Sequence, residues 1–327
     1  MNASAASGQS KHIAKMLRIS VLLVTYNHER FVRQALDSIL MQRFDGEIDI
    51  VVADDKSTDA TVAVIRTYQE IDPSISISYL SSPRNLGITR NYQRGFAACT
   101  GDYVAVLEGD DYWTDPCKLA KQVSFLESHR ECVMCSANYI VFEEGPRRFT
   151  PRVPELQGWN YLTSRSLISD NVIGNFSTCV YRAESLRLLP PSLFTIKAYD
   201  WAIHISLGQF GPIGFLREPM SVYRVHPKGS WSLLSHQQKL AEQLALLPQY
   251  DRATGGTFHA EFEELARQLI SAGAISTTTL RSHTFKKRLL IKVLGFVASA
   301  CPPFIVGLVK LTVPPVLISR LRNIIRR

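Results

Sequence analysis

The chain has 327 residues, 46% of them hydrophobic and 20% charged, with 37 Lys and Arg against 29 Asp and Glu. That balance excludes a disordered chain and a bundle of membrane spans, and the length allows one large or two modest domains. The formal charge of +8 suggests an anionic partner, yet no acidic residue follows Glu264, and the eleven Lys and Arg beyond it leave residues 1–264 at a formal −3. The body is therefore mildly acidic, the positive charge belongs to the tail, and no nucleic-acid partner is expected.

Cys99, Cys117, Cys132, Cys135, Cys179 and Cys301 are scattered through apolar context, unlike a secreted disulfide framework. Cys132 and Cys135 form a C-x-x-C without the second pair or histidines of a zinc site, so they read as buried thiols. Residues 1–17 are small and polar and read as a disordered segment without a signal peptide.

In chain order, 19–25 (ISVLLVT) is an unbroken apolar, β-branched run of the kind a strand buried on both faces needs. Over 29–41, Phe31, Val32, Ala35, Leu36, Ile39 and Leu40 recur at helical spacing. A strand at 48–53, a helix opening at 58, a strand at 75–80, a helix at 88–99 stopped by Gly101 and a strand at 103–107 repeat the alternation. Beyond Cys117 a helix to about 128 leads to a strand at 133–142. A Pro- and Arg-rich loop is expected over 143–158, and a mixed region over 176–232 that continues the same fold. Alternating strands and helices predict an α/β, mostly parallel sheet flanked by helices, with ligands bound at the carboxyl ends of the strands.

Polar clusters sit at those ends: Thr25, Tyr26 and Asn27, then Asp54 and Asp55, then Glu108, Gly109, Asp110 and Asp111. Asp59 reads as an ordinary helix cap. The third cluster does not: its acidic oxygens converge with no neighbouring cation in sequence, and a hard divalent ion completed by substrate phosphates resolves that charge. Thr25, Asn27, Asp54 and Asp55 can supply hydrogen bonds to a nucleotide. G-x-G-x-x-G and G-x-x-x-x-G-K-[ST] are absent, which disfavours dinucleotide and P-loop chemistry and leaves the metal, with Arg84 or Arg90, to neutralise phosphate.

The segments VTYNHERFVRQALDSILMQ, VVADDKSTDATVAVI and SSPRNLGITRNYQRGFAACTGDYVAVLEGDDYW, in that order and spacing, resemble the family 2 glycosyltransferases of GT-A fold. The resemblance covers residues 18–126 strongly and extends to about 232. It implies a nucleotide-diphosphate sugar donor, with UDP the first choice of nucleotide, a Mn2+ or Mg2+ cofactor, and transfer with inversion to a glycan or lipid-linked acceptor. Carried over by position, Thr25, Tyr26, Asn27, Asp54 and Asp55 line the nucleotide pocket, and Asn85, Gly87 and Arg90 lie beside the donor. Glu108, Gly109 and Asp110 occupy the family's Asp-x-Asp motif; Glu stands first here, so Asp110 is taken as the metal ligand and Glu108 and Gly109 as part of the donor site. In KAYDWAIHISLG, Asp200 matches the general base, its alternative being a plain helix cap. In EPMSVYRVHPKGSWS, His226 matches a histidine that approaches the metal, and Arg224 is near for phosphate. Trp113, Trp201 and Trp231 are candidates for stacking on a sugar ring, with core packing the better reading for at least one of them.

The expected organisation is therefore a catalytic domain over 18–232, its nucleotide-sugar half at 18–116 and acceptor half at 117–232, followed by a helical extension at 233–285 and a basic apolar tail at 286–327. The tail's apolar stretch 293–309 is broken by Pro302 and Pro303, so two short helices lying on an anionic membrane surface fit better than a crossing, the alternative being a core-packing helical pair with solvated arginines. A cytoplasmic enzyme peripheral on the inner face of the membrane and serving surface polysaccharide assembly is expected. A pyrophosphorylase-like transferase, which would want an N-terminal Gly-rich signature, and a non-catalytic nucleotide-sugar binder or membrane scaffold are the alternatives.

Overall fold

The computed structural model describes residues 16–71, 76–154, 157–197, 200–227, 229, 231 and 234–273. Its first half alternates β1 (Arg18–Thr25), α1 (Val32–Leu40), β2 (Glu47–Asp54), α2 (Thr61–Ile71), β3 (Ile77–Tyr79), α3 (Ile88–Ala98) and β4 (Tyr103–Glu108). The chain continues through β5 (Tyr112–Trp113), α4 (Lys118–Ser128), β6 (Met134–Glu143), β7 (Arg148–Pro151), β8 (Trp159–Leu162), α5 (Ser164–Ser169), β9 (Val180–Arg182) and α6 (Ala183–Leu186). It closes with α7 (Asp200–Leu207), β10 (Ile213–Val225), α8 (His236–Ala253) and α9 (His259–Ser271).

The strands form one sheet in the order β3-β2-β1-β4-β9-β6-β10-β5, with β7 added to β6 and β8 to β10. β3, β2, β1 and β4 run parallel, as do β6 and β10, while β9 pairs antiparallel to β4 and β6 between them. Ile19, Val21 and Leu23 of β1 enter one apolar layer and Leu22 and Val24 the other. Burial on both faces explains the unbroken apolar run. The first layer is closed by Val32, Ala35, Leu36 and Ile39 of α1, Ile65 and Tyr68 of α2, and Leu119, Val123 and Leu126 of α4. The second is closed by Tyr92 of α3, Leu167 and Ile168 of α5, Ile203 and Leu207 of α7, Leu247 of α8 and Phe262 of α9.

Three sequence expectations shift. The helix expected from 58 starts at Thr61, because Asp59 stays outside it and accepts the Thr61 amide at 2.9 Å. The third strand is the three-residue β3. The loop expected over 143–158 contains β7, which pairs with β6 and stacks Phe149 on Phe142 at 4.4 Å, so an antiparallel hairpin replaces most of it.

The five cysteines among the described residues are free thiols, four of them buried. No helix among the described residues is long and apolar enough to cross a membrane. Cys301, the N-terminal segment 1–15 and the tail 286–327 lie outside the described residues.

Candidate active site

Register brings the three polar clusters to one edge: Thr25 pairs with Asp54 across β1 and β2, and Val24 with Glu108 across β1 and β4. At the β2 end, the oxygens expected to face a nucleotide are occupied by the protein. Asp54 accepts the Thr25 hydroxyl and the Ser57 amide, both at 2.9 Å. Asp55 is buried and accepts the amides of Leu86 at 2.7 Å and Gly87 at 2.9 Å. Asn27, at a left-handed φ of 56°, accepts the Thr58 amide at 2.8 Å. Thr25, Asn27, Asp54 and Asp55 thus tie the loops of this edge together. Tyr26 keeps an open side chain, 45% exposed at the same edge. Asn85 accepts the Gly87 amide at 3.0 Å, and Gly87, at φ 82°, opens α3. Arg84, Asn85 and Arg90 line an open groove beside this loop.

The β4 end is built differently. Asp110, 21% exposed, accepts from His226 Nε2 at 3.1 Å and has His28 Nε2 at 3.7 Å from the same oxygen. His28 escaped the sequence reading; its only signal was a histidine directly after the Tyr-Asn of the β1 end. Gly109 makes the approach of His28 possible, since a Cβ there would lie 2.9 Å from His28 Nδ1 and 2.7 Å from Thr25 Cγ2. Burial opposes ionisation of Asp110, but His28 and His226 outweigh it and hold the carboxyl below its ordinary range.

Glu108 behaves oppositely. Burial, then the charges of Asp110 and Asp111, push its carboxyl well above the ordinary range, and it accepts the Tyr92 hydroxyl at 2.9 Å. Asp111 is a buried keystone: it accepts the Ser177 hydroxyl at 2.6 Å, the Asn175 amide at 3.2 Å and the Arg224 backbone amide at 2.9 Å. Burial and the Asp110 charge still push it up to about 8. Ser177 also accepts the Glu108 amide at 3.1 Å, so the short turn at 176–178 fixes the whole acidic motif.

Arg224, expected near the phosphate, braces the acidic motif. It is 9% exposed, donates to the Asp110 carbonyl at 2.9 Å and to Gln34 at 2.7 Å, and its guanidinium lies over Phe31, Tyr112 and Phe142. Trp113 and Trp201 are likewise buried core residues, whose indoles donate to the carbonyls of Ser177 at 2.8 Å and Leu167 at 2.6 Å. They are not sugar-stacking surfaces. Trp231 is half-buried.

Asp200 opens α7, and its Oδ2 is buried with no hydrogen-bond partner. Burial pushes its carboxyl up to about 6, against the Trp201 amide and the Asn171 side chain. Asp200 lies close enough to Glu108 and Tyr92 to raise both. Beside Glu108 there are therefore a carboxylate held charged by two imidazoles and, within electrostatic reach of Glu108, a second whose Oδ2 has no hydrogen-bond partner.

No group of three or more His, Cys, Asp or Glu among the described residues forms a metal cage. Asp110 and His226 do fit as two ligands of an ion that takes its remaining ligands from phosphate and water, and an oxygen and an imidazole nitrogen suit Mn2+ at least as well as Mg2+.

Fold and site define an α/β protein with clustered carboxylates at the carboxyl edge of its sheet. The chain belongs to glycosyl transferase family 2, whose family profile matches residues 20–189. An uncharacterised protein of Mycobacterium tuberculosis is 35% identical over 214 residues, 65% of this chain and 60% of that protein, so the chain matches less than two thirds of its relative's length. The poly(ribitol-phosphate) beta-N-acetylglucosaminyltransferase TarS of Staphylococcus aureus is 27% identical over 208 residues, 59% of this chain and 34% of TarS. The crystal structure of TarS 1-349 in complex with UDP-GlcNAc superposes with a TM-score of 0.59 at 18% identity, covering 88% of this chain and 82% of that one. A mannosyltransferase of Pyrobaculum calidifontis in complex with GDP-Man and Mn2+ gives a TM-score of 0.54 at 15% identity, covering 87% and 81%.

Proposed function

We propose that the protein is a metal-dependent, inverting glycosyltransferase that moves a sugar from a nucleotide-diphosphate donor to a glycan or lipid-linked acceptor in surface polysaccharide assembly. The observation that carries this reading is the pairing of Asp110 with His226 at the β4 edge, together with the orphan carboxylate oxygen of Asp200 within electrostatic reach of the neighbouring Glu108. Two fold neighbours that hold nucleotide sugars support the donor class, and the Mn2+ of one supports the ion.

In this reading Asp110 and His226 hold the ion, which when bound supplies positive charge to the leaving diphosphate. Asp200 Oδ2 accepts the proton of the acceptor hydroxyl, whose oxygen attacks the anomeric carbon as the bond to the diphosphate breaks on the opposite face. One displacement inverts the centre. A base held near 6 by burial is ionised at neutral pH yet still basic enough to take that proton. Glu108, whose carboxyl burial and the neighbouring carboxylates push up, lies beside the donor.

The membrane-surface location rests on the sequence of 286–327, where apolar runs alternate with Arg and Lys. Deleting those residues should release the protein from membranes; sedimentation unchanged by the deletion would place the anchor elsewhere. For the donor, a thermal-shift screen of nucleotide sugars with and without Mn2+ should give a hit whose stabilisation requires the metal. A hit indifferent to chelator would remove Asp110 and His226 from metal binding.

A further inference from the structure

Between the acidic motif and Asp200 lie two tyrosines that no role above uses. Tyr139 of β6 and Tyr223 of β10 stand on one face of the sheet, because Ser221 pairs with Tyr139 and Tyr223 with Val141 on parallel neighbours. Their rings meet edge to face at 6.2 Å and 81°. Tyr139 is buried, with its hydroxyl against Gly174, where an added Cβ would come within 3.0 Å. Tyr223, in front of it, is half-buried, and its hydroxyl makes no hydrogen bond among the described residues.

The placement of the pair follows from its neighbours: the Tyr139 hydroxyl lies at the 171–174 turn, whose Asn171 side chain bonds Asp200, and Tyr223 directly precedes Arg224, whose backbone amide donates to Asp111 at 2.9 Å. Burial, then Asp111, Glu108 and Asp110, raise the Tyr223 phenol, whereas among the carboxylates raising Tyr139 are Asp200 and Asp111. The two rings thus bridge the base and the metal-side carboxylates, and Tyr223 stands at the metal-side end. On the proposed reading that end is where the donor's sugar must lie, since the diphosphate is drawn to Asp110 and His226 and the sugar is attached to it.

We propose that Tyr223 is a specificity-determining residue for the transferred sugar, its hydroxyl hydrogen-bonding a hydroxyl of the donor's sugar ring and its ring edge packing against the ring's C–H face. A phenol that stays protonated can donate and accept. A polar group built to meet a substrate hydroxyl discriminates against sugars that lack that hydroxyl, because the phenol is then left unpaired in a partly dehydrated site.

This inference rests on the donor reading, and calorimetry separates the two. Wild type and Tyr223→Phe are titrated, with Mn2+ present, against UDP and UDP-N-acetylglucosamine and against GDP and GDP-mannose, the donors held by the two fold neighbours. The expected result is that Tyr223→Phe binds the bare diphosphate as wild type does and lowers the ratio of sugar-nucleotide to diphosphate affinity about fivefold to tenfold. The ring remains, so the melting temperature should not move. An unchanged ratio, or equal weakening of both ligands, overturns the role of Tyr223 while leaving the donor reading intact. Failure of wild type to bind any of the four ligands overturns the donor reading and this inference with it.

Discussion

The carboxylates at the end of β2 and those at the end of β4 flank β1 on the same sheet edge, one residue apart in register, and differ in what their oxygens meet. Asp54 and Asp55 accept from Thr25, Ser57, Leu86 and Gly87 and are spent on holding two loops. Asp110 meets imidazole nitrogens and solvent, and Asp200, across the site, has a buried oxygen that meets nothing. The comparison teaches that an acidic pair at a strand end marks a site only when its hydrogen bonds are unfilled. Asp111 makes the point within one motif: next to Asp110 in sequence, it is saturated by Ser177, Asn175 and Arg224.

The contrast can be broken by substitution at either end. Asp110→Ala should have the largest effect, weakening metal-dependent donor binding by about 100-fold or more, by analogy with losses at metal shells. Isothermal titration with and without Mn2+ reads it, and unchanged affinity would show that Asp110 is not a ligand. Asp55→Ala should act on stability instead. It leaves the Leu86 and Gly87 amides without their buried acceptor in a part-exposed turn, at a cost of about 1–3 kcal/mol, seen in urea unfolding, with metal affinity kept once the protein is folded. Equal loss of metal affinity in both variants would erase the distinction drawn between the two strand ends.

A subtler prediction concerns Lys118, fully buried with Gln122 as acceptor at 2.7 Å and the Trp113 ring 4.4 Å away. Burial lowers its pKa from 10.5 to about 7. Between those values the unfolded chain binds more protons than the folded one, so stability rises with pH through that window and the penalty is fully present below it. Lys118→Met should flatten this rise in melting temperature between pH 7 and 10, and an undiminished slope would assign it to another group.

Much of the fold is legible in the sequence because its causes are local. The run 19–25 reports burial on both faces, and the apolar stripe of α1 reports one. The site is only half legible. Chemistry at three strand ends follows from alternation, but which oxygens remain open depends on partners about thirty residues away for Asp55, as near as three for Asp54, and more than a hundred for Arg224 and Asp111. Arg224 reads as a phosphate cation until its aromatic cage is seen, and His28 reads as an ordinary loop residue until Gly109 brings it to Asp110. The hairpin of β7 was hidden because its pairing with β6 hangs on a tight turn at Arg147, whose φ is 53°.

Asp200 offers the sharpest test, because the same burial that makes it a base also costs stability. Its carboxyl, raised from 3.8 to about 6, binds more protons folded than unfolded, so stability falls as pH rises from 4 to 6 and the loss is complete above. Asp200→Asn removes that penalty. The decisive measurement is donor titration, melting and turnover on this one variant at pH 7.5. The account predicts unchanged donor affinity, stability higher by about 1–3 kcal/mol, and turnover reduced by roughly 100- to 10,000-fold. Turnover retained by Asp200→Asn would contradict it.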